Sequence, residues 1–423
     1  MADPDPVALV ALADRIAAKN LWPGFDPRTI PVAIFDGRRT FLFRHPAPPP
    51  AFEPLPGAAG VLVMNGRMEE VTANSSATIG GVPTATLMPP SAGTSLRTRA
   101  GILIHEAFHV FQRQHHKNWS ANEAELFTYP FADTAQVALQ REELEALHRA
   151  LQARPRAGAC WATIAMDVRA RRLAMLPRGA AQFERMTELN EGLATYVEKR
   201  AAGVIDRNLL SETRFAPDMV RLRAYQSGVA IARLLDRYSP NWRATLESND
   251  STALDVLLAD ALSATPHGSC GFSGPERTKF RGESAADVSS LVTRREQARR
   301  EFIEKEGWSL LIVSATSPLF PQGFDPLNVQ VVTSGEVLHT RFLKLGNDAG
   351  SIQVLGRASL TDAAGAHPLF NGVKQLTVTG LSSTPEVRVS GDTVTINTDG
   401  VTGQFRRASV NRDGRKVVVT LSK

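Results

Sequence analysis

Five residues, His105-Glu106-Ala107-Phe108-His109, constrain this chain more than any other stretch. Two histidines four positions apart share a ligand readily when the backbone between them is an α-helix, because residues four apart lie on one face. Glu106, a turn position off that axis, then faces a water on the same ion, which is the HExxH arrangement of a zinc site with its own base. The flanks favour the helix. Between Ser95 and His116 there is no proline, the one glycine (Gly101) comes early, and Leu103, Ala107, Val110 and Phe111 recur at helical spacing. Pro89, Pro90 and Gly93 bar an earlier start, so Ser95 reads as the N-cap. The plainer alternative is a pair of core-facing histidines with a surface glutamate.

A catalytic zinc takes three protein ligands and keeps one position open. The near candidate for the third ligand is His115, at the spacing of the metzincin pattern HExxHxxGxxH. That pattern breaks its helix at a glycine, and this chain has Gln112 there. In a continued helix His115 turns about 80° or more away from His105 and His109. The far candidate is Glu191, in Leu189-Asn190-Glu191-Gly192-Leu193-Ala194-Thr195-Tyr196-Val197-Glu198. Met186, Leu189, Leu193, Tyr196 and Val197 give that helix a partly apolar face, and Gly192 permits close helix approach. Glu188, Glu191, Thr195 and Glu198 follow three-and-four spacing and are expected on one face, with Thr195 or Glu198 supporting a ligand histidine. An acidic helix face in water is the plainer alternative.

The two stretches together resemble the gluzincin metallopeptidases, whose aminopeptidase branch carries an NEGxAxYxE-like ligand helix. The resemblance covers the two ligand motifs. It implies zinc on His105, His109 and Glu191, Glu106 as general base, and a mainly helical zincin-like domain. It also implies a downstream Tyr or His that hydrogen-bonds the developing oxyanion; Tyr225, opening a strongly apolar helical run, is the candidate, and His267 the alternative. The chain departs from that branch in two ways. Predicted helices at Asp133–Leu151 and Ala159–Leu176 separate the motifs, and Gly80–Leu87 stands where a GAMEN-like stretch would read a free substrate N-terminus. In zincins the strand before the HExxH helix commonly takes substrate as an added strand, a role open to Ala77–Leu87; a plain structural hairpin is the other reading.

At 423 residues the chain suits two domains, and 43% hydrophobic with 22% charged residues is the composition of a folded protein. No apolar run approaches the ~18 residues of a membrane span. The net charge of +5, from 48 basic and 43 acidic residues, is spread along the chain with no basic stripe, which argues against nucleic acid as partner. Met1-Ala2-Asp3-Pro4-Asp5-Pro6 puts acids and prolines where a secretory signal carries positive charge. The protein therefore reads as cytosolic, or as one whose signal has been removed. Cys160 in a helical stretch and Cys270 in a loop leave a single bridge and two buried thiols both open.

Val7–Ala18 reads as a short helix, Ile30–Phe35 and Thr40–Phe43 as a hairpin, and Val61–Met64 as a further strand. After Glu191 the chain is expected to stay helical through Leu235, ending near Tyr238-Ser239-Pro240. Ala285–Glu306 follows as a charged helix with Val288, Leu291, Val292, Ala298 and Phe302 inward. From Gly307 the texture becomes that of strands: 310–313, 329–333, 338–345, 351–354, 375–378, 387–389, 393–396, 404–409 and 416–421. His339 and His367 stand isolated in it.

The expected fold is thus α+β: a mainly helical zincin-like domain with a small N-terminal sheet (1–306), then an all-β domain (307–423). The expected function is that of a zinc metallopeptidase, a hydrolase acting on peptide or protein substrates through Glu-assisted attack of a zinc-activated water. A zinc hydrolase of a non-peptide substrate, or a non-catalytic scaffold with a β binding module, is the alternative. Retention of Glu106, which holding a metal does not require, argues against the scaffold.

Overall fold

The hairpin expected at Ile30–Phe43 forms the centre of a sheet that carries the HExxH helix on one face. In the computed structural model, which describes residues 5–91, 93–204, 209–249, 251–314, 316–325 and 328–422, the chain divides into two compact units. The first comprises residues up to Ala121 and Ala135–Gly282; the second comprises Asn122–Thr134 and the chain from Glu283.

The first unit opens with α1 (Pro6–Ala17) and the strands β1 (Val32–Phe35), β2 (Arg39–Phe43), β3 (Glu53–Pro54), β4 (Val61–Asn65), β5 (Ser75–Ile79) and β6 (Val82–Leu87). Their order across the sheet is β3-β4-β2-β1-β6-β5, with β1 and β6 parallel and the other pairs antiparallel. Alternation along the strands divides the side chains. Val32, Ile34, Phe41, Phe43, Ala85 and Leu87 join Leu9 and Ile16 of α1 and Leu103, Ala107 and Phe111 in one core. Ala33, Leu42, Phe52, Val71 and Ile79 form a smaller cluster on the other face. The stretch Ala77–Leu87 is a hairpin turned at Gly80-Gly81, both at positive φ, and it leaves β5 as an edge strand.

Helix α2 (Leu96–His115) follows, with Ser95 Oγ accepting from the Thr98 N–H at 3.1 Å. Then come α3 (Thr134–Gln152), α4 (Pro155–Met175), α5 (Arg178–Thr187), a π-turn at Glu188–Gly192, α6 (Leu193–Ala202), α7 (Val220–Tyr238), α8 (Trp242–Ser248) and α9 (Leu254–Ser263). The helix expected to run from Glu191 to Leu235 is two helices. Gly203 takes the left-handed conformation (φ +75°) and its N–H returns to the carbonyls of Arg200 and Lys199, closing α6. Cys160 and Cys270 form a disulfide, tying α4 to the segment before α10 (Gly274–Ile303).

In the second unit two antiparallel-rich sheets, of seven and six strands among the described residues, face each other across Leu310, Ile312, Val337, Leu376 and Val419 from one side and Leu345, Ile352, Val354, Ile396 and Phe405 from the other. The expected strands 338–345 and 404–409 each divide in two, at Thr340-Arg341 and at Arg407. Phe320–Phe324 and Ser359–Ala363 are strands that the sequence pattern does not signal; the former holds Pro321 and Gly323 and lies at a sheet edge, where proline is tolerated. The units divide at Gly282/Glu283, within α10, and not at the texture change after Glu306. Phe302 of α10 packs with Val332, Leu338 and Leu360, and Phe127 joins the strand core beside Phe324 and Phe370, which is why both segments go with the strands. Val292, expected inward, is 40% exposed.

Candidate metal centre

Residues 105 and 109 stand on the buried side of α2, and their Nε2 atoms approach to 3.1 Å. Glu191 comes to the same point from the π-turn, its Oε2 3.2 Å from His109 Nε2 and 3.7 Å from His105 Nε2. The three ligand atoms all lie within 4.8 Å of one another, and all three residues are buried. Two nitrogens and one carboxylate oxygen converging in this way can hold a metal ion, and the N/O set suits a transition metal such as zinc better than magnesium or calcium. The electrostatics agree with a place prepared for a cation. Burial opposes charge on His105, yet hydrogen bonds from its ring to the carboxylates of Glu191 and Glu198 outweigh it and raise its pKa to about 9. Burial likewise opposes charge on Glu191, but His105 and His109 hold its carboxyl well below the usual range.

Each histidine is oriented from behind. His105 Nδ1 donates to Glu198 Oε2 at 3.2 Å, the supporting role expected of Glu198 or Thr195. His109 Nδ1 is 2.8 Å from Gln112 Oε1. Gln112 spends its amide N–H groups on the carbonyls of Leu189 (3.0 Å) and Asn190 (2.8 Å), so its oxygen is the atom left for His109. That fixes the proton of His109 on Nδ1 and leaves Nε2 free to ligate. The sequence marks Gln112 only as the residue where a metzincin has glycine. Its spacing of three from His109 is the signal that it shares that face.

The π-turn changes which residues point at the site. Glu188 was expected on the face of Glu191, but an i→i+5 turn holds more residues per turn than an α-helix and rotates Glu188 away. It accepts instead from Arg169 Nη2 and Ser227 Oγ, inside a buried cluster of Glu143, Arg169, Arg172, Glu184 and Arg223. Gly192 faces α7 at Gly228: a Cβ on Gly192 would lie 2.8 Å from Gly228 Cα. This contact brings α7 against the turn, with Arg221 and Tyr225 one helical turn apart on the side of Glu191. Arg221 Nη2 donates to Glu191 Oε1 at 2.7 Å, and the Tyr225 hydroxyl stands beside both, interacting electrostatically with Glu191 and Arg221. Burial, and then the Glu191 charge, push the Tyr225 phenol above its ordinary range.

Glu106 is 7% exposed, and burial is the largest influence raising its pKa, against the pull of His105 and His109. His115, at the end of α2, is exposed with its ring against Phe111, outside the ligand group. His267 is exposed and bonds its neighbour Gly268 O, so it takes no part here. His367 bonds Ala124 O and the backbone of Leu369 and Phe370, a local structural role. Set against protein families, characterised proteins and solved structures, the chain matches none.

Proposed function

We propose that this chain is a zinc-dependent peptidase of gluzincin type, with a zincin-like first unit. The observation that carries the reading is the convergence of His105 Nε2, His109 Nε2 and Glu191 Oε2, each backed by its own partner, beside the buried carboxyl of Glu106. Zinc bound there would lower the pKa of a coordinated water toward neutrality and polarise a substrate carbonyl. Glu106 takes the proton of the attacking water and hands it to the leaving amine nitrogen. Its raised pKa, nearer neutrality than an exposed carboxylate, suits a group that must both accept and return a proton. Tyr225, on the rim of the ligand set, donates to the oxyanion as the carbonyl becomes tetrahedral. The edge strand β5 offers unpaired main-chain groups to an extended peptide, and the Arg113 guanidinium, which donates to Ser76 O at 3.0 Å, holds that strand to α2. The Cys160–Cys270 bridge favours an oxidising compartment for the protein.

Glu106→Gln tests the reading. The variant should bind about one zinc per chain, as the wild type should, while cleavage of a mixed peptide library falls by roughly two to four orders of magnitude. The library includes peptides blocked at either end, and internal cutting of a blocked peptide marks an endopeptidase. If the zinc-loaded wild type cleaves nothing and the variant behaves identically, the peptidase reading fails.

A further inference from the structure

We propose that Arg221 is a positioning residue that restricts Glu191 to single-oxygen ligation and so keeps a coordination position open for water. The inference rests on reading His105, His109 and Glu191 as the zinc ligands. The two oxygens of Glu191 already have different partners: Oε2 faces both histidine Nε2 atoms, while Oε1 receives Arg221 Nη2 at 2.7 Å. A carboxylate can give a metal one oxygen or two. With two oxygens, the protein would supply four donor atoms and fill the tetrahedral shell of a structural zinc site; with one, it supplies three and leaves the opening that hydrolysis needs. A guanidinium on Oε1 makes a charge-assisted hydrogen bond that occupies one of that oxygen's lone pairs and holds the carboxylate's orientation, so turning Oε1 to a metal is opposed.

The fold maintains the guanidinium in this place. Arg221 lies on α7, which the Gly192–Gly228 contact presses against the π-turn carrying Glu191, so donor and acceptor sit on two elements that cannot drift apart independently. Tyr225, four residues on along α7, stands beside the same pair. The Arg221 side chain is 30% exposed and that of Glu191 is 9%, so the arginine reaches in from the solvent edge to a carboxylate that is otherwise enclosed. It also draws charge from the Glu191 carboxylate, which would leave a metal bound there a stronger Lewis acid.

The test uses Co(II) in place of zinc, because its visible d–d absorption is intense in four-coordinate sites and several-fold weaker in five-coordinate ones. Full-length wild type, Arg221→Met and Arg221→Lys are loaded with Co(II) and their spectra compared. Circular dichroism and thermal midpoints verify the fold, and Arg221→Leu, which also lacks a donor, replaces the Met variant if that one does not fold. The wild type should give the intense spectrum. Arg221→Met should still bind one Co(II) per chain with several-fold weaker bands, and Arg221→Lys, which keeps one donor for Oε1, should recover most of the intensity. A Met variant with the wild-type spectrum, or one that is folded but takes up no metal, overturns the claim about ligation while leaving the ligands as assigned. A wild type that binds no Co(II), or a Glu191→Ala variant with an unchanged wild-type spectrum, instead overturns the ligand assignment on which the inference rests.

Discussion

Gln112 shows how much of the candidate metal site is settled by a residue behind the histidines. Its amide spans two helices, fixing the His109 ring on one side and capping two carbonyls of the π-turn on the other. Gln112→Leu keeps the volume roughly constant and removes all three hydrogen bonds. Zinc affinity, measured by chelator competition, should drop about 10- to 100-fold, the usual cost of losing a partner that orients a ligand. An unchanged affinity would mean that packing alone holds His109. Glu191→Ala and His115→Ala separate the two candidate third ligands: the first should lose metal about as completely as His105→Ala, and the second should keep it, because His115 is exposed at the end of α2. Elemental analysis of the purified variants decides this, and loss of zinc from the His115 variant would reverse the assignment.

Elements meet at this site through two opposite devices, a contact with no side chains and a cluster full of charges. At the crossing of α7 with the π-turn, Gly192 and Gly228 bring backbone against backbone, and no atom there can yield to a methyl group without the helices separating. Gly192→Ala is therefore expected to cost roughly 1–3 kcal/mol of stability, as overpacking commonly does. It should also weaken zinc binding, because the shift is imposed one residue from Glu191. A thermal midpoint and a zinc titration within error of wild type would show that the crossing has slack. Behind the turn, Arg169 and Arg172 are sandwiched between Glu143, Glu184 and Glu188, all at 1% exposure or less. In sequence these charges look like solvated helix faces. Only the packing of α3, α4, α5 and α7 shows them to be a buried, mutually neutralising set that anchors the residue three before the ligand glutamate.

Taken whole, the molecule carries a titrating group, far in sequence from the candidate metal site, that should contribute to its loss of stability in mild acid. His339 is fully buried in the second unit; its Nε2 lies 3.3 Å from Thr361 Oγ1, and its Nδ1 has no partner among the described residues. Burial lowers its pKa from 6.5 to about 3. The folded state therefore keeps this histidine neutral while the unfolded chain takes up a proton below pH 6.5. The unfolded state binds more protons between those two values, so stability falls as pH drops through that window, by about 1.4 kcal/mol per pH unit for a single proton. Urea unfolding at pH 7 and pH 5 should show a loss in the wild type that is smaller by roughly 2 kcal/mol in His339→Leu. Equal losses in the two proteins would place the acid sensitivity elsewhere.

Local periodicity was enough for the ligand helix and its cap, for the hairpin at Val32–Phe43, and for most strands after Gly307, because each of these is written in residues within a turn or two of one another. The same holds for His105 and His109 on one buried face, and for Glu198 as a partner at three-and-four spacing. What lay beyond the sequence depends on contacts between distant segments or on departures from ideal repeats. The Cys160–Cys270 pairing joins residues 110 positions apart, and spacing alone does not state whether two cysteines meet. The π-turn at Glu188–Gly192 is invisible to a 3.6-residue period, yet it decides that Glu191 faces the histidines and Glu188 does not. Arg221 reaches Glu191 only because two glycines let α7 lie against that turn, so the tertiary structure, and not the motif, decides that Glu191 Oε1 meets a guanidinium while Oε2 faces the two histidines.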